Sequence, residues 1–122
     1  MSNSLINGIH YFRIPVVDLN ESVSWYSECL KFKLRFTRDG LAVFELETGP
    51  LLVLVEADMN SRGHFLKDGQ AEFSVGFTTP NINELYEYLL SQDVIVESIQ
   101  EDGGHQFFCF YDPNGNKLQV HN

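Results

Sequence analysis

The chain has 122 residues, 43% of them hydrophobic, the size and composition of one compact domain with a core of its own. Seventeen acidic residues against eight basic ones give a net charge of −9, with no cluster of Lys and Arg anywhere, which argues against nucleic acid and anionic membrane surfaces as partners. The start MSNSLINGIHYF lacks the features of a secretory signal, no run of about 18 apolar residues occurs, and Cys29 and Cys109 form no CxxC pair; a cytoplasmic location is expected, without disulfide or zinc site.

IHYFRIPVV (9–17) alternates, with His10, Phe12, Ile14 and Val16 on one face and Tyr11, Arg13 and Pro15 on the other, the pattern of a strand. In DLNESVSWYSECL (18–30), Leu19, Val23, Tyr26 and Leu30 recur at helical spacing, and Asp18 followed by Glu21 resembles a capping box. Trp25 lies off that stripe, which points to a domain or subunit contact. FKLRFT, LAVFELE and LLVLVEA then read as three strands separated by RDG and TGP turns. The polar segment 58–70 reads as an exposed connection without regular structure.

The order then repeats. EFSVGFTTP (72–80) alternates as a strand, and NINELYEYLLSQ carries Ile82, Leu85 and Leu89 at helical spacing. DLNE at 18–21 and NINE at 81–84 match cap for cap at a shift of 63 residues. VIVESI, GHQFFCFY and KLQVH close the chain as three strands, the last two joined by DPNGN, a hairpin signal with Pro and Gly at turn positions. The fold class is therefore α+β: two tandem βαβββ modules, 9–57 and 71–122, joined by 58–70 and forming a curved mixed sheet. One helix per module covers only one sheet face, so residues of the opposite parity must line a concave surface.

Two βαβββ modules, the stretch PVVDLNESVSWYSECLKFKL and the closing FYDPNGNKLQV together resemble the vicinal oxygen chelate superfamily, which includes glyoxalase I, fosfomycin-resistance transferases, extradiol dioxygenases and bleomycin-resistance proteins. The likeness spans nearly the whole chain. For the enzymatic members it implies a divalent metal held in the concavity by His, Glu or Gln from the first, fourth, fifth and eighth strands. Carried over by position, that quartet falls here on Tyr11, seven residues before Asp18, on Val53, on Ser74 and on Gln119, seven after Asp112. No imidazole or carboxylate stands among them, and neutral hydroxyl and amide groups are poor ligands for hard divalent ions. His10 is one residue out of register, on the helix-packed parity.

Concave-face parity gathers Tyr11, Arg13, Ser74, His105, Phe107, Cys109, Gln119 and His121 as substrate-binding candidates, aromatic walls with a few directional polar groups. Tyr11 and Phe107 could equally fill the space between half-sheets. Arg13 needs a carboxylate such as Glu45, Glu47 or Glu72, or else an anionic ligand. His105 could transfer protons or sit at a pocket rim, and Cys109, about 13 Å along the same strand, is too far to pair with it. His64 could close over the cavity or sit in solvent.

The resemblance and the missing ligands favour a small-molecule binding protein of the bleomycin-resistance type, without metal or other cofactor, acting as a homodimer with no nucleic-acid or membrane partner. The competing reading is a metal-dependent glyoxalase-like lyase, dioxygenase or thiol transferase drawing on His10, His64, His105, His121, Glu56 or Glu72. A cofactor-free lyase or isomerase using Tyr11, Arg13 or His105 is a third.

Overall fold

The computed structural model describes residues 4–122; the first three residues of the N-terminal stretch lie outside the described residues. Strand β1 (Tyr11–Val16) leads into α1 (Leu19–Ser24), where the Asp18 side chain accepts from the Glu21 backbone N–H at 3.0 Å and closes the first turn. Strands β2 (Lys33–Arg38), β3 (Leu41–Glu45) and β4 (Leu51–Glu56) follow, and the sheet order β1-β4-β3-β2 sets β1 parallel to β4. After a short hairpin, β5 (Phe65–Lys67) and β6 (Gln70–Glu72), the topology repeats. Strand β7 (Gly76–Thr78), helix α2 (Ile82–Ser91), β8 (Gln100–Asp102), β9 (His105–Tyr111) and β10 (Lys117–His121) give a second sheet ordered β7-β10-β9-β8, again with its first and last strands parallel. Asn81 caps α2 as Asp18 caps α1, accepting from the Glu84 N–H at 3.1 Å.

The strands alternate as their sequences do. Ile14, Val16, Phe44, Leu52 and Leu54 of the first sheet and Phe108, Phe110, Leu118 and Val120 of the second turn toward the helices, where Tyr26, Ile82 and Leu89 join them in one core shared by both modules. Phe77 bridges the seam, with ring centroids 6.5 Å from Phe12, 5.6 Å from Phe32 and 6.4 Å from Phe110.

The DPNGN turn does more than reverse the chain. Both carboxylate oxygens of the buried Asp112 are used: Oδ1 accepts from the backbone N–H groups of Asn114 and Asn116, while Oδ2 accepts from the Tyr26 hydroxyl and from Asn116 Nδ2, each at 2.7 Å. Asn116 Nδ2 also donates to the Pro15 carbonyl, and its Oδ1 accepts from the Gly63 N–H at 2.7 Å. Asn114 extends the clasp, accepting from the Val17 N–H and donating to the Ser22 hydroxyl. The turn of the second module is thereby sewn to the strand and helix of the first. The approach is close at Gly63, where a Cβ would stand 3.3 Å from side-chain atoms of both Ile14 and Pro15. Among the described residues no buried side-chain nitrogen or oxygen lacks a partner, as a stable core requires.

Four expectations need correction. The segment 58–70 is not structureless: Lys67-Asp68-Gly69-Gln70 makes a two-residue hairpin turn, with Asp68 and Gly69 both at positive φ. The strand expected over 72–80 begins only at Gly76. Residues 70–72 are drawn into that hairpin, and the Lys117 N–H that would extend the pairing is taken by His64 Nδ1 at 2.9 Å. VIVESI contributes one isolated bridge, Val96 to Phe110, rather than a strand, because it carries one residue more than β9 before pairing resumes at Gln100 and Phe107. The helix over 18–30 ends in a π-turn at Trp25–Cys29, where the Leu30 N–H reaches the Trp25 carbonyl at 3.3 Å. Trp25 consequently packs on the edge of the core, edge-on to Tyr26. No helix among the described residues is long and apolar enough to cross a membrane.

Candidate functional site

Residues of the other parity form a helix-free face on each sheet. On the first, strand pairing sets up rows across the sheet. Arg13, Val53, Val43 and Phe36 stand in one row from β1 to β2, with Tyr11 and Leu51 on one side of it and Pro15, Val55, Leu41 and Arg38 on the other. Val43 and Val53 are nearly buried, at 6% and 8% exposed, while Tyr11 is 53% and Phe36 45% exposed. The middle of this face is therefore dry and its margins open. Arg38 leans over Phe36, 5.5 Å from the ring centroid.

The corresponding row of the second sheet is Gly76, Gln119 and Cys109, followed on one side by Thr78, His121 and Phe107. Gly76 takes the place that Arg13 holds in the first sheet, and Gln119 the place of Val53. Without a side chain at Gly76, the Gln119 amide extends over the strand, its Oε1 3.8 Å from where a Cβ would be. On the other side of this row lies a group that sequence reasoning did not single out. Tyr111 donates to Glu97 Oε2 at 2.7 Å, and Lys117 Nζ lies 3.4 Å from the same oxygen while donating to the Ala71 carbonyl. Parity alone could have placed Tyr111 and Lys117 here, beside Cys109 and Gln119; Glu97 was hidden by the irregular backbone around it.

Burial raises the Tyr111 phenol, and its bond to the Glu97 carboxylate acts in the same direction. Burial is the largest influence on the Lys117 ammonium and would lower it, but Glu97, Tyr111 and Cys109 together outweigh it and the net direction is up. Burial likewise raises the Cys109 thiol, with Lys117 opposing and Glu97 and Glu72 reinforcing. The group is a closed ion pair beside an unactivated thiol, suited to orienting a ligand rather than to exchanging protons near neutrality.

The structure thus draws Phe107, Cys109, Gln119 and His121 into one contiguous patch and sets Tyr11 and Arg13 together on β1. Ser74 lies outside any strand, exposed in the bend before β7, and His105 lies exposed at the start of β9 opposite Asp102. The carboxylate pairing expected for Arg13 is absent among the described residues: Glu45 is engaged by Lys33 and Arg35, each at 3.9 Å. A hollow of about 580 Å³ lies away from these residues, lined by Trp25, Gln92, Val94 and Pro113 among others.

Tyr11, Val53, Ser74 and Gln119, the positions at which relatives would hold a metal, offer no anionic or imidazole donor, and this set does not suit a hard divalent ion. Nor do the histidines supply one. His10 stacks edge-on against Tyr11, His64 Nδ1 accepts from Lys117, and His121 Nδ1 lies 2.9 Å from the Asn122 carbonyl. Among the described residues no three His, Cys, Asp or Glu side chains gather closely enough to hold a metal ion.

A family model described as the Glyoxalase/Bleomycin resistance protein/Dioxygenase superfamily matches residues 8–120. Among solved structures, the chain is similar to TnmS3, an antibiotic binding protein from Streptomyces sp. CB03234, with a TM-score of 0.79 and 19% identity over 97% of both chains. It is similar to a superfamily member from Sphaerobacter thermophilus, with a TM-score of 0.74 and 19% identity over 97% of this chain and 98% of that one. A lactoylglutathione lyase from Agrobacterium tumefaciens gives 0.73 at 18% identity, over 95% and 93% of the two chains. At such identities the likeness establishes the fold.

Proposed function

The chain belongs to the glyoxalase/bleomycin resistance protein/dioxygenase superfamily, and on that premise we propose that it binds a small organic molecule on its helix-free faces without using a metal, as a cytoplasmic homodimer. The observation that carries this reading is that Tyr11, Val53 and Ser74 stand at three of the four ligand positions and the neutral Gln119 at the fourth, so that no imidazole or carboxylate is offered. Tyr11, Arg13, Ser74, His105, Phe107, Cys109, Gln119 and His121 are the contact residues in this reading. The similarity to a protein described as antibiotic binding agrees with it.

The homodimer is supported by what one chain leaves open. Tyr11 and Phe36 stay exposed at the margins of a face whose centre is dry. A second copy presenting its Gln119 face there, related by a two-fold axis, would give two cavities, each lined by both chains. The metal-dependent alternative lacks a comparable feature, because its candidate ligands do not converge.

A thermal-shift screen of small organic molecules, followed by calorimetric titration of the hits on wild type, Tyr11→Phe and Gln119→Ala, tests the proposal. Hits weakened several-fold by either substitution support it. Hits indifferent to both, or none from a broad library, contradict it.

A further inference from the structure

We propose that the ligand is an organic anion, an apolar body carrying a carboxylate or sulfonate, and that Arg13 holds its charge. The inference rests on the binding reading above and names the ligand class for the same site.

Arg13 has an unusual setting. Its neighbours across the sheet are Val53, Val43 and Phe36, and along β1 they are Tyr11 and Pro15, so no acidic side chain borders it on its own face. Glu45, the carboxylate of that face, lies two strands and one row away, about 12 Å by strand spacing, and is already shared by Lys33 and Arg35. The other basic groups near the two faces are engaged: Lys117 with Glu97, and Arg38 over Phe36. On the second sheet the central carboxylate, Glu97, serves both Tyr111 and Lys117. Among the described residues Arg13 therefore ends a dry row without an ion-pair partner.

Open to water, that arrangement costs little. Once the face is covered, an unpaired guanidinium beside two valines becomes costly to desolvate, and a ligand bringing its own negative charge removes the penalty. The row from Arg13 to Phe36 spans three strand spacings, about 14 Å, the length of a fused or linked aromatic body reaching from Arg13 toward the exposed Phe36 ring. The planar guanidinium suits a carboxylate or sulfonate better than a lysine would.

A matched pair of fluorescent probes separates charge from apolar body: 8-anilinonaphthalene-1-sulfonate and its neutral parent, N-phenyl-1-naphthylamine. Wild type is expected to bind the sulfonate about tenfold tighter than the neutral compound, as befits one charge-assisted contact. Arg13→Gln should abolish that preference while leaving the neutral probe's affinity and the thermal midpoint unchanged. Equal affinities in wild type, or a preference that survives Arg13→Gln, overturn the inference and leave the binding site standing. Binding of neither probe overturns the inference, while the binding reading falls only if the broad library also yields no hit. Dissociation of a dimer by Arg13→Gln also overturns the inference, since Arg13 would then be paired with a carboxylate of the second copy.

Discussion

The two sides of the sheets obey different physics. On the helix side no buried side-chain nitrogen or oxygen among the described residues lacks a partner, and the Asp112–Asn116 clasp ties β1, α1 and the π-turn after it, the loop before β5 and the start of β10 through a few short hydrogen bonds. On the helix-free side aromatic rings stand half exposed, Arg13 has no ion-pair partner among the described residues, and Gln119 reaches over a glycine. A chain selected only for stability would not keep the second arrangement beside the first. The contrast separates residues that hold the fold from residues free to meet something else.

Substitutions can break that contrast or sharpen it. The largest effect is expected at Asp112→Ala, which strands the Tyr26 hydroxyl, the Asn116 amide and two backbone N–H groups in the core; equilibrium urea unfolding should show a loss of about 3–5 kcal/mol. A loss below about 1 kcal/mol would mean that the clasp is incidental. Tyr26→Phe removes one bond while leaving Asn116 on the same oxygen, and should cost about 1–2 kcal/mol by the same assay.

A smaller, pH-dependent effect is expected at His64. Burial, reinforced by the charges of Arg62 and Lys117 and opposed by Asp112, holds its imidazole below the ordinary value, and Nδ1 must stay unprotonated to accept from Lys117. As pH falls, the unfolded chain takes up this proton first, so the contribution is complete above about pH 6.5 and is lost progressively below it. Unfolding midpoints measured at pH 7, 6 and 5 should therefore fall less steeply for His64→Gln than for wild type. Parallel profiles would remove His64 from the set of groups that fasten the loop.

At the other end of the scale, Tyr11→Phe and Gln119→Ala should move stability by no more than about 0.5 kcal/mol, since the Tyr11 hydroxyl makes no hydrogen bond among the described residues and Gln119 lies on the open face. The same two changes should weaken ligand binding several-fold. If either unfolds the protein early yet keeps ligand affinity, its side chain belongs to the core and the division of faces is wrong.

Much of this was legible in the sequence. The alternation in β1 and β10 assigned Tyr11, Arg13 and Gln119 to the face away from the helices, and DLNE and NINE located both helix starts, because period and caps are local signals. The double duty of the DPNGN turn was not legible, since Asp, Asn and Gly are common in turns for reasons that involve no distant partner. Nothing local to EFSVGFTTP reveals that a histidine from the preceding loop intercepts the Lys117 N–H and delays β7. The hairpin at Asp68-Gly69 did carry its signal, but the polarity of the surrounding segment masked it. Whether the helix-free faces close within one chain depends on how the modules dock, and the seam around Phe77 sets them side by side.

The absence of a metal requirement is the claim on which the binding reading stands. Native mass spectrometry of the untagged protein, before and after incubation with nickel, zinc, manganese and iron(II) and then desalting, tests it directly. The expected result is no stoichiometric metal under any condition. One tightly held ion per chain would contradict the reading and require ligands that Tyr11, Val53, Ser74 and Gln119 do not provide.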